Sequence, residues 1–284
     1  MKGTPPMTLH RTNWHEAAVC AIQIDLRDYA HMLEYHPEYT LSNNKNRIDL
    51  LVIRKLLDQP ILKSIGRLFK SYNLFEIKGI CSCLTTDAYY KTNGHASYLI
   101  NAAGTLNKYS RQDVTLTFLS FRYPRKLFSH LQRDCKKEIK RPFPGIYYIK
   151  GEMYETQVII TRELAPEDAL YLRCLTNHLT DSDLLRQLTE DYKAHQHQEF
   201  YIKYLNQLTN ANGSTKGDHH MVCEGLFRLY GTSSKEIEEN AKKESLEQIN
   251  SLTDQNQRLS IANQELSSQN NYLKELLTQN NIAF

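Results

Sequence analysis

The period of hydrophobic and polar positions changes several times along the first half of the chain, as it does in proteins that combine helices with strands. Apolar residues recur at helical spacing over 13–33, and Thr12 or Asn13 can cap this predicted helix. Short apolar or β-branched runs, which are typical of strands, follow it. These runs are 48–53, 74–79, 114–121, 145–149 and 157–160.

Helical patterns separate some of these strands. One predicted helix covers 87–103, with Thr85 or Thr86 as its cap, and a short basic helix covers 127–139. Helix, strands, helix and strand in this order predict an α/β sandwich about 150 residues long. Beyond it, 164–230 is rich in leucine, glutamine, glutamate and histidine at helical spacing, which predicts a helical extension packed on the sandwich.

The C-terminal residues carry a seven-residue repeat with leucine at position d. The leucines are Leu252, Leu259, Leu266 and Leu273, and the a positions hold Ile249, Asn256, Asn263, Asn270 and Leu277. Asparagine at a favours a parallel two-stranded coiled coil, because facing amides can pair across the interface. The repeat therefore predicts a homodimer. The alternative is a single amphipathic helix lying on its own domain.

The formal net charge of +3 conceals a strong asymmetry. Through residue 150 there are 23 lysines and arginines against 12 acidic residues, a formal charge of +11, whereas the remainder carries −8. A basic N-terminal half predicts a polyanionic partner such as nucleic acid, although a solvated basic face would have the same composition. The best phosphate-contact candidates lie in one segment; they are Arg122, Arg125, Lys126, Arg133, Lys136, Lys137, Lys140 and Arg141.

The cysteine pattern and the hydropathy indicate where the protein is expected to act. Six cysteines are scattered along the chain, a distribution that fits free thiols in a reducing cytoplasm. No apolar run reaches the length of a membrane span, so we expect no membrane segment. Motifs for nucleotide-binding loops, serine hydrolases and zinc proteases are also missing.

Two carboxylates and a lysine suggest chemistry at the end of the sheet. Asp49 lies near the start of one predicted strand, and Glu76 and Lys78 are two apart on the next, so their side chains point to the same side. If the two strands pair, the three groups can converge. Carboxylate oxygens can hold Mg²⁺, which acidifies a bound water and stabilises charge on phosphorus. The simpler alternative is a buried ion pair that stabilises the sheet.

Several stretches of the sequence occur in a characteristic order. They are His15-Glu16-Ala17, 47–53 around Asp49, 63–67, 73–78 around Glu76 and Lys78, the helix with Asp87, Tyr90, Lys91 and Gly94, then 122–127 and 145–147. In these residues the chain resembles the PD-(D/E)XK phosphodiesterase superfamily. More narrowly, it resembles the bacterial Rpn-like group of recombination-promoting nucleases and transposase-like proteins. The resemblance covers roughly residues 10 to 165.

The resemblance implies a restriction-endonuclease-like core, a mixed sheet flanked by helices. It implies that Asp49 and Glu76 bind Mg²⁺, with Mn²⁺ as a substitute, and that Lys78 is the catalytic lysine. Glu16 matches a position where many relatives have a further acidic metal ligand. The helix after Lys78 departs from the family pattern, because it carries His95 in place of an aromatic residue and lacks the glutamine found in many relatives.

These observations predict a nuclease-like core over 10–162, a helical extension over 163–232 and a coiled-coil tail over 233–280. The first functional hypothesis is a metal-dependent DNA endonuclease that dimerises through its tail. The second is a catalytically degenerate nuclease fold that binds DNA or acts as an oligomeric scaffold. A third is a protein-interaction module whose basic face meets an acidic protein.

The coiled coil can be tested by truncation. Removing residues 245–284 should convert a dimer to a monomer, because the seam of leucines is lost. Sedimentation equilibrium on the full chain and the truncated chain measures this directly. An unchanged oligomeric species after truncation would refute the coiled-coil assignment.

Overall fold

The computed structural model describes residues 13–37, 50–101 and 109–212, together with helical residues scattered between 253 and 274. In the described part the strands are β1 (Leu33–His36), β2 (Leu50–Lys55), β3 (Tyr72–Ile77), β4 (Val114–Ser120), β5 (Glu138–Phe143), β6 (Ile146–Lys150) and β7 (Glu155–Ile160). The helices are α1 (Trp14–Asp25), α2 (Thr86–Asn101), α3 (Arg125–Arg133), α4 (Leu170–Arg173), α5 (Ser182–His195) and α6 (Glu199–Asn212). The α/β class predicted from the sequence is confirmed.

The strands form one mixed sheet in the order β1-β2-β3-β4-β7-β6-β5. The first three strands make an antiparallel meander, and β3, β4 and β7 run parallel to one another in the centre. The chain passes from β3 to β4 through α2, the crossover that a parallel pair requires. Strands β6 and β5 complete the sheet in antiparallel order.

The alternation of side chains along β3 sends apolar residues to both faces of the sheet. Phe75 packs in a core with α1 and the helices α4 to α6, whereas Leu74 packs in a second core with α2 and α3. The central parallel strands are covered by helices on both faces, so the sheet has a hydrophobic core on each side. Helices α1 and α2 begin at side-chain caps: Asn13 accepts a hydrogen bond from the Glu16 N–H, and Thr85 accepts one from the Ala88 N–H.

The first helix is shorter than its apolar pattern predicts. It ends at Asp25, and the chain continues through a 3₁₀ turn, Arg27–Met32, into β1. Met32 and Leu33 continue the helical spacing of apolar residues, and both are buried. They reach the core, however, from a 3₁₀ turn and from an edge strand. Strand β1 was therefore missed, since an apolar pattern alone does not separate the two backbone forms.

The basic helix predicted over 127–139 is also wrong in its second half. Helix α3 ends at Arg133, Lys136 has a left-handed backbone with φ of 54°, and β5 begins at Glu138. The left-handed residue lies three positions after the end of the helix and turns the chain toward β5. The following residues then pair with β6, with Ile139 opposite Ile149.

The residues after β7 form helices that share a core with α1. Leu172 of α4, Leu188 of α5 and Leu205 of α6 are buried in the same cluster as Ile22. The chain divides into two compact units, Met1–Tyr230 and Gly231–Phe284. In the second unit the described residues are helical, and the side chain of Leu266 is 55% exposed. The other three repeat leucines, Leu252, Leu259 and Leu273, lie outside the described residues.

Asp25 ties the end of α1 to the start of α4. It is 4% exposed, and its two carboxylate oxygens accept the backbone N–H groups of Tyr171 at 3.0 Å and Leu172 at 2.9 Å. Burial raises the pKa of Asp25 from 3.8 to about 7, because the loss of hydration outweighs the two N–H donors.

This carboxyl should make the free energy of unfolding depend on pH. Because the folded protein binds the Asp25 proton more tightly than the unfolded chain does, the stabilisation is complete below pH 3.8 and is lost as pH rises through about 7. Asp25→Asn, which does not titrate, should remove this part of the slope in urea titrations between these pH values. Asp87→Asn, which replaces an exposed carboxylate, is the control and should keep the part of the slope that is due to Asp25. Equal slopes for wild type and Asp25→Asn would contradict the assignment.

Candidate functional site

A cleft of about 840 Å³ lies at the C-terminal end of β3, between α1, α2 and α6. Its charged lining residues are Glu16, Glu76, Lys78, Lys91, Glu199 and Lys203. Three carboxylates and three ammonium groups thus face one cleft. Three of them, Glu16, Glu76 and Lys78, were singled out from the sequence.

Glu76 and Lys78 meet as the alternation of β3 predicts. The Lys78 Nζ lies 2.6 Å from the Glu76 Oε1, and the side chains are 27% and 14% exposed, respectively. Among the described residues, the second carboxylate oxygen, Oε2, has a long contact of 3.4 Å with the Thr92 hydroxyl, which donates a shorter bond of 2.8 Å to the Ala88 carbonyl. Glu76 therefore keeps an oxygen with lone pairs available at the edge of the cleft.

The pairing of β2 with β3 brings the segment that follows Asp49 beside this pair. Leu50 is the register partner of Glu76 in the antiparallel ladder. The two strands do pair, which is the condition under which the three polar groups could converge. Asp49 itself lies outside the described residues.

Glu16 lines the cleft from the first turn of α1. Its Oε2 accepts a hydrogen bond of 2.9 Å from the side-chain amide of Gln207 on α6. The carbonyl oxygen of the same amide accepts the Asn13 N–H at 2.8 Å. Gln207 therefore fixes the start of α1 and the direction of the Glu16 carboxylate together.

The α6 side of the cleft was not foreseen from the sequence. Glu199 and Lys203 are one helical turn apart and form an ion pair of 2.5 Å. Their i, i+4 spacing can be recognised in the sequence, but this spacing is common on solvated helices and does not indicate a cleft. Lys91, on α2, is exposed and forms no ion pair with any residue that the structure describes.

His95 lies one turn after Lys91 on α2, on the side toward Glu76. Burial lowers the pKa of His95, and the positive charge of Lys91 lowers it further, while Glu76 acts in the opposite direction. Its buried Nε2 has no hydrogen-bond partner within the described ranges.

The eight basic residues between 122 and 141 do not line the cleft. Three of them form ion pairs: Lys137 with Glu152 at 3.4 Å, Lys140 with Glu138 at 3.2 Å and Arg141 with Glu163 at 3.2 Å. The others are exposed and form no ion pair with a described residue; they are Arg122, Arg125, Lys126, Arg133 and Lys136. These five are the part of the segment best able to meet phosphates.

The oxygen donors in the cleft are of the chemical type that binds a hard cation. Carboxylate oxygens of Glu76 and Glu16 are the ligands that Mg²⁺ prefers, and no thiol or imidazole is required. Across 13–37, 50–101 and 109–212, no three His, Cys, Asp or Glu side chains gather closely enough to hold a metal ion. Asp49, the other predicted ligand, lies outside these ranges.

Comparisons with protein-family models, with curated proteins and with solved structures find no match for the chain. In the part that the structure describes, no helix is long and apolar enough to cross a membrane. The interpretation of the cleft therefore depends on its own geometry and chemistry.

Proposed function

We propose that the protein is a metal-dependent endonuclease that hydrolyses phosphodiester bonds in DNA. The observation that carries this proposal is the meeting of Glu76 and Lys78 at the open end of a central strand, beside the start of β2. The succession of α1, three antiparallel strands, α2 and the parallel strand β4 also supports it, since this is the arrangement expected of a restriction-endonuclease-like core.

In this proposal Asp49 and Glu76 hold Mg²⁺, and Glu16 contributes from α1. The cation supplies Lewis-acid chemistry, which lowers the pKa of a bound water and offsets negative charge on the phosphate. Lys78 then orients the nucleophilic water and neutralises charge in the transition state through its ammonium group. Lys91, exposed at the same cleft, binds a neighbouring phosphate of the strand.

The basic segment holds the duplex outside the cleft. Its five exposed cations, Arg122, Arg125, Lys126, Arg133 and Lys136, contact phosphates without reading sequence. A homodimer formed by the leucine repeat would supply two active sites for the two strands of a duplex. This use of the tail fits recombination or mobile-element chemistry, the setting that the family resemblance implies.

Two observations favour the second hypothesis, a degenerate nuclease fold that binds DNA. Lys78 is close enough to Glu76 to satisfy one of its oxygens permanently, as in a purely structural ion pair. The helix α2 also has no glutamine to support the site. This alternative predicts salt-sensitive DNA binding that survives Glu76→Ala and needs no metal.

The endonuclease proposal predicts Mg²⁺-dependent nicking of plasmid DNA. Asp49→Ala, Glu76→Gln and Lys78→Met should each lower the rate by about a hundredfold or more, because each removes a metal ligand or a transition-state contact. Supercoiled plasmid is incubated with Mg²⁺, with Mn²⁺ and with EDTA, and the nicked product is quantified on gels.

Glu199→Gln is the matched control, because it removes a carboxylate that lines the same cleft and forms an ion pair with Lys203 on its own helix. It should keep the nicking rate of the wild type. If the wild type nicks no faster than the three site variants but still shifts DNA at low salt, the degenerate fold is the correct reading. If it shifts no nucleic acid at low salt, an acidic protein becomes the favoured partner.

A further inference from the structure

A second group of reactive side chains lies where α3 ends, apart from the cleft. The Cys135 Sγ is 3.5 Å from the His130 Nε2, and the opposite ring nitrogen, Nδ1, is 2.7 Å from the Asp134 Oδ2. The Tyr90 hydroxyl, from α2, lies 2.8 Å from the same Nε2 and 3.4 Å from the Sγ. A thiol, an imidazole, a carboxylate and a phenol are thus connected in one network.

The backbone at the end of α3 brings these groups together. The N–H groups of Asp134 and Cys135 both donate to the His130 carbonyl, at 2.9 Å and 3.2 Å. Lys136 then adopts a left-handed conformation with φ of 54°, and the Lys137 N–H donates to the Leu131 carbonyl at 2.8 Å. A non-glycine residue seldom takes this conformation, and here it holds Cys135 back against His130.

The hydrogen bond to Asp134 determines which nitrogen of His130 can act as a base. Because the carboxylate accepts the proton on Nδ1, the neutral ring presents an unprotonated Nε2 toward Cys135. Nε2 can then take the thiol proton and leave a thiolate beside an imidazolium. This is the relation of nucleophile, base and orienting carboxylate that activates thiols in proteins.

Tyr90 completes the environment of the sulfur. Once Nε2 is protonated it becomes a donor, and the Tyr90 hydroxyl can turn its own proton to the thiolate. The hydrogen bond to Cys135 and partial burial raise the pKa of Tyr90 to about 12, which keeps the phenol protonated at neutral pH. Two donors would therefore stabilise the negative sulfur.

The surroundings of Cys135 favour an anionic reactant over a metal ion. Arg133 and Lys136 are exposed on either side of the cysteine in the sequence. Among the described residues, Cys135 and the Nε2 of His130 alone could face a common metal ion, since Asp134 bonds to the opposite nitrogen. Two such ligands are too few for a structural zinc site. The cysteine is half-buried, so a small reagent can reach it.

We propose that Cys135 is an activated thiol that forms a mixed disulfide with an anionic low-molecular-weight disulfide. His130 takes the Cys135 proton, and the thiolate attacks one sulfur of the disulfide. A new S–S bond forms to Cys135, the original S–S bond breaks, and the leaving thiolate takes the proton from His130 to become a free thiol. The proposal is independent of phosphodiester hydrolysis.

The test compares cysteines within one full-length chain. The Cys81→Ser protein is treated with dithiobis-nitrobenzoate, a dianionic aromatic disulfide, and site-specific rates are measured by acid quenching and peptide mass spectrometry. Cys83 is the internal control, because it is exposed and, without Cys81, has no neighbouring thiol in the C-x-C stretch. At neutral pH, Cys135 should react at least about tenfold faster than Cys83.

Variants separate the contributions of His130, Asp134 and Tyr90 to the reactivity of Cys135. His130→Gln should reduce the Cys135 rate about tenfold or more, and Asp134→Asn and Tyr90→Phe should reduce it by smaller factors. The thiolate absorbance in the ultraviolet, taken as the difference from Cys135→Ser, should decrease in the same order, which a purely structural role would not produce. Asp134 is exposed and Tyr90 is 51% exposed, so we expect these two variants to fold.

The contribution of Arg133 and Lys136 to the reaction rate is tested with a neutral reagent. With dithiodipyridine the advantage of Cys135 over Cys83 should be smaller than with the dianionic reagent, because Arg133 and Lys136 no longer attract the reactant. The proposal is overturned if Cys135 and Cys83 react at equal rates with the dianionic reagent, or if His130→Gln leaves the Cys135 rate and absorbance unchanged. An equal advantage with both reagents would overturn the preference for anions.

Discussion

Strand β3 lies inside the sheet with a neighbouring strand on each side. The alternation of its side chains therefore determines which face of the sheet its charged residues reach. Phe75 and Ile77 must face the core beneath α1, so Glu76 and Lys78 must point to the other side. A partly buried carboxylate without a partner would be costly. The 2.6 Å contact with Lys78 satisfies one oxygen, and the strand end leaves the other open to the cleft. The same constraint therefore stabilises the sheet and creates a place for chemistry.

A buried polar network anchors the opposite end of β3. Asn73 is fully buried; its amide nitrogen donates to the Ile53 carbonyl at 2.9 Å, and its oxygen accepts the Thr115 hydroxyl at 2.7 Å. A separate buried bond lies two residues further along β4, where the Gln157 side-chain amide donates to the Thr117 hydroxyl at 3.0 Å. These bonds connect β2, β3, β4 and β7, and so hold in register the strands that position Glu76. A site at a strand end depends on such a scaffold, because small shifts would separate its ligands.

Much of this arrangement could be predicted from residue pattern. The two-residue spacing of Glu76 and Lys78 is sufficient to place them on one side of a strand, and Thr85 marks the start of α2. The strands β1 and β5 could not be found in this way. Their apolar residues continue a helical spacing, and the left-handed backbone of Lys136 has no sequence signal such as glycine. The contribution of α6 to the cleft depends on tertiary packing between distant segments, which local pattern does not encode.

The most direct test of the account is anomalous diffraction from crystals soaked in Mn²⁺. The account predicts one ion bound by Asp49 and by the Glu76 oxygen that faces the cleft, with Lys78 paired to the other Glu76 oxygen. The contrary result is a cleft without an anomalous peak at saturating Mn²⁺, in which Asp49 lies away from Glu76 and Lys78. That outcome would make the pair a structural element of the sheet and exclude the proposed hydrolytic site.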